Sequence, residues 1–193
     1  MAGLLKQRFP GCRILFLGRS YTRDVVALSS HVDDFINYDE LESLPSQEAA
    51  KQLSGYKADC FVHVFPKKEI ARLAAAAGIP LRVGTTNRLY HWLTCNRLLR
   101  LSRRNSPLHE AQLNMRLLQF TGIDTNIALN QVPALYGFDR LPTADNSMLE
   151  LLDSRKFNLI LHPRSKGSAR EWGLDNFTKL IESLPPERYR IFV

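Results

Sequence analysis

Short runs rich in Ile, Val, Leu and Phe, at residues 13–17, 34–38, 60–64 and 81–84, alternate with segments of helical periodicity at 22–29, 46–53 and 67–77. Apolar runs this short suit strands covered on both faces, and a strand, helix, strand rhythm makes each helix a crossover between parallel neighbours. The expectation is an α/β chain with a parallel sheet between two helical layers. In the third helical segment Ile70, Leu73, Ala74 and Ala77 fall on one face before Gly78 and Pro80 stop it.

A longer helix is expected over 107–120. Ser106 is a good N-cap, Pro107 suits the first helical position, and Leu108, Ala111, Met115 and Leu118 form a stripe that ends at Gly122. From 121 to 147 periodicity fades and Pro133, Gly137 and Pro142 appear among Asn and Asp, the composition of an interdomain crossing. The boundary is placed there, with one domain over 1–147 and a second over 148–193. In the second, 157–162 reads as a strand, 163–170 as a polar turn, 174–184 as a helix with Phe177, Leu180, Ile181 and Leu184 inward, and 190–193 as another strand. One helix covers one face of too few strands, so this part reads as the beginning of an incomplete domain.

With 193 residues, 45% hydrophobic and 23% charged, the chain is globular and not disordered. Its 26 Lys and Arg against 19 Asp and Glu leave a charge of +7, which favours anionic partners: phosphorylated sugars, nucleotides, nucleic acid or an anionic membrane surface. Cys12, Cys60 and Cys95 are too few and too scattered for a disulfide framework or a zinc site, and the histidines lack metal-ligand spacing. No metal and no cofactor are expected. No apolar run approaches the roughly 20 residues of a membrane span, and the N-terminus lacks the pattern of a secretory signal. The expected location is cytoplasmic.

Two basic constellations carry candidate chemistry. The first is His162-Pro163-Arg164-Ser165-Lys166-Gly167-Ser168-Ala169-Arg170-Glu171-Trp172, a small-residue cationic turn between a strand and a helix. At the carboxyl edge of a parallel sheet such a turn presents N–H groups and a helix N-terminus to phosphate. Ser165 and Ser168 offer hydroxyls there, and Lys166 and Arg170 would neutralise a diphosphate; an ordinary solvated loop is the competing reading. The second runs from Asn96 to Glu110, with Arg97, Arg100, Arg103 and Arg104 leading toward the long helix. Cations before a helix N-terminus gain nothing from its dipole, and an anionic ligand would relieve them. A solvated basic face or a nucleic-acid surface would also explain them, although the aromatic residues that stack on bases are limited to Tyr90 and Trp92 upstream. His109 is read as either a polar contact to a ligand or a helix cap. Gly18-Arg19-Ser20-Tyr21-Thr22, after the first strand, also lies at a ligand-facing edge, with Asp24 as a candidate base or a simple dipole partner.

Taken together, residues 5–14 with Phe16-Leu17-Gly18-Arg19, then 102–110 with Asn114, and finally His162-Pro163 through Arg170-Glu171-Trp172 with Phe177, resemble the lipopolysaccharide heptosyltransferases of glycosyltransferase family 9. The resemblance implies a GT-B type fold: a Rossmann-like acceptor-side domain and, across a cleft, a second Rossmann-like domain that takes a nucleotide-activated sugar, typically ADP-heptose. It implies metal-independent transfer of heptose to the inner core of lipopolysaccharide. Ser165, Lys166 and Arg170 would bind the donor phosphates, and Arg103, Arg104 and His109 the acceptor. The partners implied are a nucleotide-sugar donor and a lipid-linked anionic saccharide, with peripheral contact at the inner face of the cytoplasmic membrane and no nucleic acid. Family members open with a strand and a Gly-Asp turn holding the catalytic aspartate. This chain is expected to begin in the helix after it and to stop within the donor domain, so no catalytic residue is assigned and the fragment is expected to be inactive alone. A noncatalytic module that binds an anionic glycan or a partner chain is the alternative.

Overall fold

The computed structural model describes the chain apart from residues 103, 105 and 166–169. It divides into two compact units, Met1–Leu141 and Pro142–Val193.

In the first unit helix α1 (Ala2–Arg8) precedes strand β1 (Leu15–Gly18), and α2 (Arg23–Ala27) connects it to β2 (Asp34–Asn37). Helices α3 (Tyr38–Ser43) and α4 (Ser46–Ser54) lead to β3 (Cys60–Val62), α5 (Lys68–Ala76) to β4 (Leu81–Thr85), and α6 (Leu89–Thr94) to β5 (Arg97–Leu99). The pairings between these strands are parallel, with Leu17 opposite Ile36, Val62 opposite Val83, and Val83 opposite Arg97. The strands form two ladders, β1–β2 and β3–β4–β5, instead of the single sheet expected. Strand β5 is also new: it lies within the basic stretch from Asn96 to Glu110, and its Leu98 and Leu99 are half-buried.

Alternation of side chains along each strand separates two apolar layers. Leu15, Leu17 and Phe61 pack against a core of Ile36, Leu41, Ala49, Leu53, Ala74 and Ile79. Val62, next to Phe61, turns the other way and joins Leu99, Leu101, Leu113 and Leu117. Fully burying a leucine such as Leu41 or Leu53 stabilises by about 2 kcal/mol. In α5 Leu73, Ala74 and Ala77 of the expected face pack in this core, and Ala71 is buried beside them because small side chains let the helix sit close to its neighbours.

Residues 121–141 pack within this unit, and the division between the two units falls after Leu141, inside the stretch 121–147. Val132 and Leu135 pack with Leu4 and Leu5 of α1, joined by Met115 and Leu118. The Ser29 hydroxyl donates to the Tyr136 carbonyl at 2.6 Å and the Ser30 N–H to the Gly137 carbonyl at 2.8 Å. Prolines and glycines here shape a packed irregular segment that satisfies its backbone against the unit.

The second unit holds α8 (Asn146–Leu151), β6 (Phe157–Ile160), α9 (Leu174–Ser183) and β7 (Tyr189–Phe192). Residue 147, where the sequence suggested a boundary, lies within α8. Strands β6 and β7 are parallel, with Leu159 opposite Ile191. Phe177, Leu180, Ile181 and Leu184 are half-buried as expected, but no described residue of this unit is fully buried. Two helices and a two-strand ladder provide no more.

Candidate functional site

The cationic turn stands where the sequence placed it, between β6 and α9. Because β6 and β7 are parallel, the chain leaves β6 at the carboxyl edge of the ladder. The Leu161 N–H donates to the Phe192 carbonyl at 2.8 Å, one residue past the strand, before Pro163 turns the backbone. At the far end Gly173, with φ +94°, is the N-cap of α9 and supplies no side chain to the first-turn N–H groups. The exit is pinned: Trp172 meets Phe177 edge-on with centroids 5.2 Å apart, and Asn176 Nδ2 donates to the Trp172 carbonyl at 2.6 Å. The Ser165 N–H donates to the Glu171 carboxylate at 3.3 Å, so an anionic oxygen already occupies a backbone donor of this turn. Arg164 and Arg170 are exposed, and Ser165 is half-buried. Lys166 and Ser168 lie outside the described residues.

The second basic region differs from expectation. Helix α7 (Glu110–Met115) is short and continues as a 3-10 helix to Thr121, ending at Gly122 with φ +75°. It starts at Glu110 because Ser106 does not cap it: the Ser106 Oγ accepts from the Leu108 N–H at 3.2 Å in a local turn. His109 is the cap, its Nδ1 accepting from the Ala111 N–H at 3.1 Å, while Gln112 Oε1 accepts from the His109 N–H at 3.0 Å. The capping reading of His109 is the one the geometry displays. With Nδ1 an acceptor, the neutral ring carries its proton on Nε2, a donor on an exposed residue. Arg97 belongs to β5 and the exposed Arg104 precedes the cap by several residues, so neither lies in the first turn, where the dipole acts. Arg103 lies outside the described residues.

The turn after β1 is filled by the protein itself. The Arg19 guanidinium pairs with Asp39 and Glu42 and lies over the Tyr38 ring, 4.8 Å from its centroid. Asp39 also accepts from the Ser20 N–H at 2.8 Å and from the Ser20 hydroxyl. Arg19, with help from Ser20, holds the Asp39 carboxyl well below the usual carboxylate range. Asp24 is exposed in the first turn of α2, where a carboxylate complements the dipole.

Sequence reasoning missed a buried imidazole pair. His63, just past β3, and His91, on α6, have ring centroids 5.1 Å apart, and His63 is 2% exposed. His91 Nδ1 accepts from the Thr85 N–H at 2.9 Å, but His91 Nε2 and both ring nitrogens of His63 have no partner among the described residues. Burial lowers both, His63 to about 4, with the neighbouring His91 and Arg82 adding to the effect. Both are neutral at pH 7. Gly84 makes room: a Cβ there would stand 2.7 Å from His91 Nδ1 and 2.8 Å from Cys95 Sγ. Nothing in the local spacing relates residues 63 and 91; the β3–β4 crossover brings them together. No group of His, Cys, Asp and Glu among the described residues could hold a metal ion.

No family model and no curated protein matches the chain. Among solved structures it is similar to Escherichia coli ADP-heptose LPS heptosyltransferase II, with 17% identity and a TM-score of 0.67 over 98% of this chain and 57% of that one. It is similar to a glycosyl transferase of family 9 from Veillonella parvula, with 13% identity and a TM-score of 0.67 over 93% of this chain and 53% of that one. A third match is the E. coli heptosyltransferase WaaC with ADP, at 14% identity and a TM-score of 0.64 over 98% of this chain and 62% of that one. At these identities the likeness is one of fold, the GT-B type α/β fold expected from the sequence. The chain spans a little over half the length of these proteins.

Proposed function

We propose that these residues form the acceptor side and the first donor-side elements of a metal-independent glycosyltransferase that moves heptose from ADP-heptose to the inner core of lipopolysaccharide. Fold alone does not give function. The observation that carries the reading is the serine- and arginine-bearing turn at the carboxyl edge of β6, which runs into a helix N-terminus with no capping side chain, in a chain that shares its fold with heptosyltransferases over 98% of its length.

In this reading an acceptor hydroxyl loses its proton to a carboxylate and attacks the anomeric carbon, while the bond from that carbon to the diphosphate breaks and ADP leaves. Negative charge builds on the departing phosphate as the sugar takes on oxocarbenium character. Ser165, Lys166 and Arg170 bind that phosphate together with the N–H groups of the turn and of the first turn of α9, and Glu171 yields the Ser165 N–H to it. Arg103, Arg104 and His109 hold the anionic saccharide, His109 through Nε2–H. The lipid-linked acceptor sets the working place at the cytoplasmic face of the inner membrane, and no helix among the described residues is long and apolar enough to cross it.

Equilibrium binding of ADP-heptose tests the proposal, with ADP as competitor. Saturable binding, displaced by ADP and weakened at least about tenfold by Arg170→Ala, supports it; a tenfold loss corresponds to about 1.4 kcal/mol, within the range of one charge-assisted contact. Absence of binding, or equal binding by the variant, overturns it.

A further inference from the structure

The carboxyl ends of three strands converge on one ring. Arg19, just past β1, places its guanidinium 4.8 Å from the centroid of Tyr38, which follows β2, and Lys67, in the turn after β3, brings Nζ to 5.8 Å from the same centroid. Turns at the carboxyl edge of parallel strands are where α/β domains present groups to ligands. Two large aromatic side chains stand in water beside this junction. Tyr21, two residues after Arg19, is 84% exposed, and Phe65, two residues before Lys67, is 76% exposed. Among the described residues neither ring meets another ring or a cation, and the Tyr21 hydroxyl has no hydrogen-bond partner.

Both rings are carried on braced backbone. Tyr21 is the middle residue of the 3-10 turn Ser20–Thr22. Asp39 accepts from the Ser20 N–H at 2.8 Å, and the Arg19 carbonyl accepts from the Thr22 N–H at 2.8 Å and from the Thr22 hydroxyl at 2.6 Å. A Cβ at Gly18 would stand 2.8 Å from Thr22 Oγ1 and 2.9 Å from the Phe16 ring, so the turn is packed down on the end of β1. On the other side the His63 N–H donates to the Val83 carbonyl at 3.0 Å and the Val64 N–H to the Val62 carbonyl at 3.1 Å. Pro66 then restricts the backbone between Phe65 and Lys67, the N-cap of α5. An exposed ring on fixed backbone offers contact area at little cost in entropy.

Charge around this junction is balanced, unlike that of the stretch from Arg97 to Arg104. Helices α2, α3 and α5, with Arg19 and Lys67, carry five acidic and five basic residues. A polyanion or an anionic surface meets the carboxylates of Asp39 and Glu42 here and gains little. A ligand rich in hydroxyls meets acceptors and donors together, between apolar ring faces. We infer that Tyr21 and Phe65 hold the neutral sugar of the acceptor by stacking against its C–H faces, while Asp39 and Glu42, fixed by Arg19, accept from its hydroxyls and Lys67 donates to them. The inference rests on the sugar-transfer reading for its choice of ligand and adds a division of labour to it. The acidic groups of the saccharide go to the basic stretch and His109, and its neutral ring goes to the edge formed by β1 and β3.

Methyl heptoside, a neutral single-sugar probe, tests this when titrated into the full chain and followed by nuclear magnetic resonance. Saturable shifts of the Tyr21 and Phe65 ring resonances are expected, and added salt should leave the affinity unchanged because the probe carries no charge. Tyr21→Ala and Phe65→Ala should each lower the affinity at least about fivefold, with an unchanged melting temperature since both rings are already in water. Tyr21→Phe keeps the ring face and should bind like the parent. The inference fails if the probe shifts neither ring or if the alanine variants bind as well as the parent. It also fails if the ring shifts follow protein concentration, or if an oligonucleotide produces them equally. Titration of the same proteins with ADP separates the two readings. A chain that binds ADP but not the heptoside loses this inference alone, and a chain that binds the heptoside through Tyr21 and Phe65 but not ADP loses the transferase proposal alone.

Discussion

Replacing His63 with Leu should make the first unit markedly less sensitive to acid. His63 is 2% exposed, stands 4.7 Å from the Phe61 ring and 5.1 Å from the His91 ring by centroid, and neither of its nitrogens has a partner among the described residues. Burial is the main cause that lowers its pKa to about 4, against about 6.5 for an exposed imidazole in the unfolded chain. The folded state therefore refuses a proton that the unfolded state accepts. Above pH 6.5 the group costs no linkage energy; stability falls as pH drops from there toward 4 and then levels off. Between pH 7 and pH 5 this amounts to about 2 kcal/mol, by linkage from those two values. Leu has a volume close to that of His, so it leaves little cavity. At pH 7 it removes two unpaired polar atoms, worth ~1–3 kcal/mol, while giving up ring contacts of ~0.5–1.5 kcal/mol. Urea unfolding followed by far-ultraviolet circular dichroism at pH 7 and pH 5 reads both effects. The parent should lose about 2 kcal/mol more than His63→Leu between the two, with the residual acid loss in the variant coming from groups such as His91, which is lowered in the same sense. An equal loss in the two proteins would refute the reasoning.

Gly84→Ala should destabilise by ~1–3 kcal/mol, because its Cβ would press on His91 Nδ1 and Cys95 Sγ, both held in a packed interior; thermal unfolding would register a fall of several degrees, and an unchanged melting temperature would show that α6 can move aside. His109→Asn separates capping from binding. Asparagine is a strong N-cap, so the melting temperature should hold while affinity for an anionic core saccharide falls, and unaltered affinity would leave His109 with its capping role alone.

The parts of the fold legible in the sequence are those that local periodicity controls. Strands β1 to β4 lie within a few residues of their apolar runs, and α4, α5 and α9 follow their amphipathic patterns. Strand β5 was hidden by Arg97, which a strand end tolerates. The start of α7 was misread because Ser106-Pro107 has the chemistry of a helix entrance, yet Ser106 closes a local turn and a histidine three residues on does the capping. That most of the stretch 121–147 packs on the first unit was not legible, because irregular backbone resembles a linker until its partners, Leu4 and Ser29, are known. The same limit applies to the site. The turn after β6 could be placed from one strand and one helix, both local. The satisfaction of Arg19 by Asp39 and Glu42, and the meeting of His63 with His91, depend on strand order, which no local pattern encodes.

Amide chemical shifts of the chain titrated with ADP locate the phosphate site directly. The account predicts saturable shifts concentrated at Ser165 and at residues 170–175, abolished by Arg170→Ala and reversed by salt. Shifts scattered over the surface, or none at the turn between β6 and α9, would contradict it.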